Sequence, residues 1–213
     1  MDNPKNRRCI IFAAAPVSNP ERLSRFLRDG DYYIAADRGL MLADRLGIKP
    51  DCLVADFDSL KTGEGFEAPV HRLPKRKDDT DTMAAARLGL GLGFKDFLLL
   101  GASGGRLDHT FANFSVMLYL LKNGAKAVLA DEQNTAQMFL PGTAYIEPVA
   151  GAFFSLLPFS GPVSGLTIRN ASYEIRDYTL TPDSTLGVSN EFVGKTVEIS
   201  FNQGILLIFI STD

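Results

Sequence analysis

The apolar pattern of this chain changes character near residue 145, and no other feature limits the possible folds as strongly. Before that point short apolar runs alternate with helical stretches. Arg8 to Ala14, Tyr32 to Ala36, Cys52 to Ala55, Phe97 to Leu100 and Ala125 to Ala130 have the length and apolar density of buried strands. Between them Arg38 to Leu46 and Thr82 to Leu92 read as helices. The clearest helix is Phe111 to Lys122, where Phe111, Phe114, Ser115, Leu118 and Leu121 recur at three- and four-residue spacing and Asn123-Gly124 supplies a stop. Strands separated by helices predict a mainly parallel sheet covered on both faces. After Tyr145 the helical pattern is gone. Phe153 to Leu157, Val163 to Ile168, Val193 to Phe201 and Ile205 to Ile210 read as strands broken by glycine, proline and Asn202-Gln203-Gly204. The fold class expected is α/β, a parallel-sheet domain followed by an antiparallel β-sandwich or half-barrel.

The 213 residues hold one large domain or two modest ones, and the shift in pattern divides them into an α/β domain at 1–142 and a β domain at 143–213. A net charge of −3 gives no electrostatic basis for nucleic acid or an anionic membrane as partner. The apolar tail Gly204 to Ile210 is strand-sized, well short of a membrane span. Met1 to Arg8 is polar and leads into a strand, so a signal peptide is not expected. Cys9 and Cys52 sit in apolar runs, as buried free thiols do, and the cytoplasm is the expected compartment.

Three polar segments carry the chemistry. Asp56 and Asp58 follow a strand, and residues two apart in extended chain project from the same side. Both carboxylates then point one way beyond the carboxyl end of a parallel strand, where open α/β sheets bind ligands. The same residues also suit an ordinary turn. Asp78, Asp79 and Asp81 precede a helix, with Thr80 as a candidate cap. Acidic residues there complement the helix dipole without a metal, but two acidic clusters brought together repel unless a cation joins them. Magnesium (Mg2+), a hard cation, suits such carboxylates. Gly101 to Asp108 joins a strand to the helix from Phe111, so its backbone N–H groups can approach an anion and Arg106 can grip a phosphate. The plain alternative is a tight turn closed by Asp108. His109 adjoins Asp108, and His71 reads as a surface residue. Gly194-Lys195-Thr196 looks like the end of a phosphate-binding loop, but Ser189 stands where its first glycine is needed. Carboxylates, glycines and one guanidinium in an α/β domain suggest a metal–polyphosphate site.

Ala-Asp-Arg-Gly (Ala36 to Gly39), Lys-Pro-Asp (Lys49 to Asp51), Asp-Phe-Asp-Ser (Asp56 to Ser59), Lys-Asp-Asp-Thr-Asp (Lys77 to Asp81) and Gly-Gly-Arg-Leu-Asp-His (Gly104 to His109) follow one another in the chain, and this ordered set resembles the thiamine pyrophosphokinase family. Phe-Ser-Leu-Leu-Pro (Phe154 to Pro158), Gly-Leu-Thr (Gly165 to Thr167) and Gly-Val-Ser-Asn-Glu-Phe (Gly187 to Phe192) resemble its thiamine-binding β domain. The resemblance implies transfer of a diphosphate from ATP to thiamine, giving thiamine diphosphate and AMP. It implies magnesium, and a homodimer with active sites shared between the α/β domain of one subunit and the β domain of the other.

By position, Asp56, Asp58 and Asp81 match the family's metal–phosphate aspartates, with Asp78 auxiliary. Asp37 and Arg38 match the nucleotide side, Ser59 closes the Asp-Phe-Asp-Ser element, and Gly104, Gly105, Arg106 and Asp108 match the element facing the phosphates and the substrate hydroxyl. Ser189 and Asn190 match the element that approaches thiamine. Two departures stand out. Ala55 replaces a frequent glycine, and the chain has no tryptophan to stack on thiamine, so Phe192 or another aromatic must serve. The hydroxyl proton would pass to Asp108 or Asp81. The rival readings are a diphosphokinase for another hydroxyalkyl heterocycle, such as a hydroxymethylpterin, and a non-catalytic nucleotide or thiamine sensor. The first would lack the Ser189-Asn190 element and the second at least one aspartate.

Overall fold

The computed structural model describes residues 7–55, 69–72 and 79–213. The chain divides into two compact units, Met1–Glu132 and Gln133–Asp213. In the first, β1 (Cys9–Phe12), β2 (Tyr32–Ala36), β3 (Cys52–Ala55), β4 (Val70–Arg72), β5 (Asp96–Leu100) and β6 (Lys126–Ala130) form a sheet. Their order is β6-β5-β1-β2-β3-β4, and every neighbouring pair is parallel. The chain steps from β1 to β4 in one direction and returns to the other side of β1 for β5 and β6. The topology therefore reverses between β1 and β5, where the connections part and leave a crevice at the strands' carboxyl ends.

All four residues of β1 are fully buried, which is why its sequence is apolar without alternation. Each large side chain there contributes roughly 1.5–3 kcal/mol of burial free energy. One side of the unit's core gathers Ile10, Phe12, Leu23, Leu42, Leu98 and Leu100, drawing on α1 (Gly39–Arg45) and the 3-10 turn Pro20–Phe26. Two longer helices, α2 (Asp81–Gly91) and α3 (Leu107–Lys122), pack on the sheet and on each other. Helix α3 starts four residues before the predicted Phe111, with Arg106 as its N-cap residue. Its buried stripe is Asn113, Val116, Met117 and Leu120, and Phe111 is 67% exposed. The stripe is shifted from the predicted one because packing turns Val116, Met117 and Leu120 inward together with the polar Asn113, while Phe114, Leu118 and Leu121 are only partly buried.

The second unit contains β7 (Asn134–Phe139), β8 (Gly142–Ile146), β9 (Ala152–Pro158), β10 (Val163–Arg169), β11 (Ile175–Leu180), β12 (Asn190–Glu191), β13 (Val197–Phe201) and β14 (Leu206–Thr212). They form two antiparallel arrays, β12-β9-β14-β7 and β11-β10-β13-β8. Phe154, Leu156, Val163, Leu166, Leu180, Ile199 and Leu206 fill the core of this unit. The units part at Glu132/Gln133, ahead of the expected boundary at 142/143. The intervening strand, β7, alternates polar and apolar residues and pairs with β14, so it counts with the second unit.

Candidate active site

The reversal between β1 and β5 opens into a cavity of about 650 Å³ lined from four directions. The loop after β1 contributes Ala13 to Pro16, small residues that let the chain bend back over the sheet. Their backbone is tied to the neighbouring strand end, with the Ala13 N–H donating to the Leu100 carbonyl and the Ala15 N–H to the Gly101 carbonyl, both at 2.8 Å. From the end of β2 come Asp37 and Arg38. Asp37 takes the left-handed region (φ 48°), a strained choice for a non-glycine residue that turns the chain from β2 into α1. Its N–H donates to the Val54 carbonyl at 2.8 Å. Next, Gly39 begins α1, and a Cβ there would lie 1.9 Å from the Phe12 carbonyl oxygen. The glycine of Ala-Asp-Arg-Gly is thus required for α1 to approach β1 and carry Asp37 and Arg38 to the cavity.

Helix α2 presents Asp81 at its first position, capped by Thr80, whose Oγ1 accepts from the Met83 N–H at 3.2 Å. The cap is the one expected from the sequence. Gly104 (φ 92°) and Gly105 (φ 65°) both use left-handed backbone at the junction of β5 and α3, which explains the paired glycines. Asn113, only 6% exposed, donates from Nδ2 to the Ala102 carbonyl at 2.7 Å and secures this loop from beneath. Sequence reasoning missed Asn113. The only signal was a polar residue one turn into an apolar helix.

Arg106 and Asp108 form a two-pronged pair: Nε donates to Oδ1 at 3.1 Å and the second guanidinium nitrogen to Oδ2 at 2.5 Å. The Asp108 carboxylate also accepts the His109 N–H at 2.9 Å. These contacts, the Arg106 hydrogen bond first, hold the Asp108 carboxyl down at about 2. Asp108 lies in the first turn of α3, not at its cap. His109 lines the cavity, and His71 is an exposed residue of β4.

The structure thus brings Asp37, Arg38, Asp81, Gly104, Gly105 and Arg106 to one cavity. Asp56, Asp58, Ser59 and Asp78 lie outside the described residues, with Asp56 directly following the end of β3. Among the described residues no three acidic, histidine or cysteine side chains converge as a metal site would require. Asp37 and Asp81 nevertheless give the cavity the carboxylate oxygens a hard divalent cation takes, and so the donor chemistry fits magnesium.

Ser189 and Asn190 belong to a second cavity of about 610 Å³ within the β unit. Leu166, Ile168, Ile175, Leu180 and Leu186 make its apolar wall. Asn190 is 5% exposed, and its amide is engaged with backbone: Oδ1 accepts from the N–H groups of Tyr173 (3.1 Å) and Glu191 (2.8 Å), and Nδ2 donates to the Tyr173 carbonyl (2.8 Å). Ser189 has left-handed backbone (φ 59°), and its N–H donates to Ser155 Oγ at 3.0 Å. Phe192 is partly buried against the core, its ring 5.0 Å from that of Phe154, while the aromatic residue lining the pocket is Tyr173. Tyr173 and Glu174 were invisible in the sequence because β11 was not recognised, and the loop before it had no assigned place. No lysine, arginine or histidine lines this pocket among the described residues.

The family model for the thiamin pyrophosphokinase catalytic domain matches residues 23–129, and that for the thiamin pyrophosphokinase vitamin B1 binding domain matches residues 145–206. The chain is 32% identical over 209 residues to the thiamine pyrophosphokinase of Bacillus subtilis (strain 168), covering 95% of this chain and 98% of that one. It is similar to the crystal structure of thiamine pyrophosphokinase from Bacillus subtilis, with a TM-score of 0.87 and 29% identity over 98% of this chain and 100% of that one. The thiamin pyrophosphokinase structure from Geobacillus thermodenitrificans gives a TM-score of 0.84 at 28% identity, covering 97% of this chain and 98% of the other. Yeast thiamin pyrophosphokinase shares the fold, with a TM-score of 0.79 at 14% identity over 99% of this chain and 87% of its own.

Proposed function

The chain belongs to the thiamin pyrophosphokinase family, and we propose that its two units divide the substrates, ATP in the α/β cavity and thiamine in the β-unit pocket. The protein is an ATP-dependent diphosphotransferase that gives thiamine diphosphate and AMP. The observation that carries the division of substrates is electrostatic. Arg38, Arg106 and the N-terminal turns of α2 and α3 line one cavity and suit a polyphosphate. Apolar side chains, one tyrosine and one carboxylate line the other and suit an aromatic cation.

In the reaction the thiamine hydroxyl oxygen bonds to the β-phosphorus of ATP, and the bond from that phosphorus to the bridging oxygen of AMP breaks in line. Positioning and fixed charge provide most of such a rate enhancement. The glycine-loop N–H groups and Arg106 would orient the phosphates and balance the charge that shifts to the departing AMP. To do so, Arg106 exchanges part of its pairing with Asp108 for phosphate oxygens. The hydroxyl proton would pass to Asp108 or Asp81, the carboxylates in the first turns of α3 and α2. Asp81, with Asp56, Asp58 and auxiliary Asp78 by their family positions, would hold magnesium, and Asp37 lies on the same cavity. The ion supplies charge neutralisation at the phosphates when bound.

The resemblance further supports a homodimer with composite sites; each of the two cavities is lined by residues of one unit alone. Buried free thiols at Cys9 and Cys52 support a cytoplasmic protein. Among the described residues no helix is long and apolar enough to cross a membrane. Incubating purified protein with ATP, magnesium and thiamine tests the central reading. AMP and thiamine diphosphate should appear in equal amounts, and a hydroxymethylpterin should not replace thiamine. Release of ADP, or AMP without a diphosphorylated product, would overturn it.

A further inference from the structure

The loop between β10 and β11 sets Tyr173 and Glu174 side by side on the wall of the β-unit pocket. Tyr173 is 64% exposed, yet its backbone is fixed at both ends by the Asn190 amide. The Ser172 N–H donates to the Glu191 carbonyl at 3.1 Å, and Ala171 bridges to Phe192, so the whole loop is stapled to the β12 segment. Glu174 is held by the Asn170 N–H, which donates to its Oε1 at 2.6 Å from left-handed backbone (φ 61°). The stapled loop therefore places a tyrosine and a carboxylate in the lining of a pocket whose described residues include no cationic side chain.

We propose that Glu174 makes this pocket select for positive charge on its ligand's ring, with Tyr173 supplying the face on which that ring lies. Asn190 holds the backbone of Tyr173, and the Asn170 N–H holds the Glu174 carboxylate. The proposal rests on the reading that thiamine occupies the β-unit pocket. A thiazolium carries delocalised positive charge, so it gains a cation–π contact with the phenol and a Coulombic attraction to the carboxylate. A neutral ring of the same shape keeps the stacking and loses both charge contributions. Since Glu174 is exposed, its contribution is modest and screened by salt.

Glu174→Gln isolates the charge, because glutamine keeps an oxygen to accept the Asn170 N–H. Steady-state kinetics would compare thiamine with a neutral analogue whose ring nitrogen is replaced by carbon and whose hydroxyethyl arm is retained. In Glu174→Gln the KM for thiamine should rise about two- to fivefold, and less at high salt. The KM for the neutral analogue, the KM for ATP and kcat should not move. Tyr173→Ala should raise KM for both ring substrates, and Tyr173→Phe, which keeps the ring, for neither. If Glu174→Gln shifts both ring substrates equally, or neither, while Tyr173→Ala still raises the thiamine KM, charge selection by Glu174 is overturned and the pocket assignment stands. If neither Glu174→Gln nor Tyr173→Ala alters the thiamine KM, thiamine does not occupy this pocket and the proposal falls with that reading.

Discussion

Asp108 and Asp81 are both carboxylates in the first turn of a helix; Asp81 lines the α/β cavity, and Asp108 pairs with Arg106, which does. Arg106 grips Asp108 with two nitrogens, and the folded-state value near 2 lies below the ordinary 3.8. A lowered carboxyl favours the folded state above its unfolded value, and that contribution is lost as pH falls from about 3.8 through about 2. Asp108 therefore stays ionised throughout the range in which the enzyme can be assayed. The pH profile of kcat/KM for Asp108→Asn should keep the acid limb of the unmodified protein, although its height falls as Arg106 loses its partner. A displaced limb would make Asp108 a titrating base. Asp81→Asn removes one carboxylate from the first turn of α2 and leaves the Thr80 cap in place, so the helix should lose at most about 1 kcal/mol. If Asp81 belongs to the metal–phosphate site, turnover should drop at least about a hundredfold. A folded Asp81→Asn protein with near-normal turnover would remove it from that site.

Helix α3 joins structure to function through its buried stripe. Val116, Met117 and Leu120 secure it by apolar burial, and Asn113, on the same face one turn earlier, holds the Ala102 carbonyl. That hydrogen bond, with the longer one from Thr110 Oγ1 to the Gly104 carbonyl at 3.4 Å, links the helix to the glycine loop that lines the cavity. Asn113→Ala leaves a buried carbonyl without its donor, which should cost about 1–3 kcal/mol in denaturant unfolding. Because the loop loosens on the ATP side, KM for ATP should rise before KM for thiamine. The opposite order would place this loop against the wrong substrate.

The two cavities belong to different units and differ in electrostatic character, which becomes a question of assembly for the molecule as a whole. If each active site combines the α/β unit of one subunit with the β unit of another, two defective variants can repair each other. Mixing Asp81→Asn with Tyr173→Ala under conditions of verified subunit exchange should yield mixed dimers with one intact site. Assayed at thiamine well below the KM of Tyr173→Ala, where that variant is itself slow, activity should then exceed that of either variant alone. Exchange without recovery would count against shared sites and leave the substrate assignments intact.

The two-part architecture was legible in the sequence because periodicity is local: a strand buried on both faces must be apolar throughout, and a helix must repeat every three or four residues. The motifs were legible for a similar reason. Gly39, Gly104 and Gly105 sit where a Cβ would collide or where the backbone is left-handed, so those positions leave their mark on residue type. Other features arise only in the folded chain. Strand β11 lies at a sheet edge and is mostly exposed, so it carries no inward alternation to read. The α3 stripe begins with an amide whose partner lies on a loop, and an apolar count passes over it. Asn190 reads in the sequence as a substrate contact, and only the folded chain shows that its amide also holds the backbone of Tyr173, 17 residues away. The sequence by itself determined the two-part architecture, the buried strands of the parallel sheet, the three helices and the polar motifs at their ends. Tertiary structure alone decided which polar groups bond to one another and which remain to meet a ligand, because hydrogen-bond partners are assigned by proximity after the chain has packed.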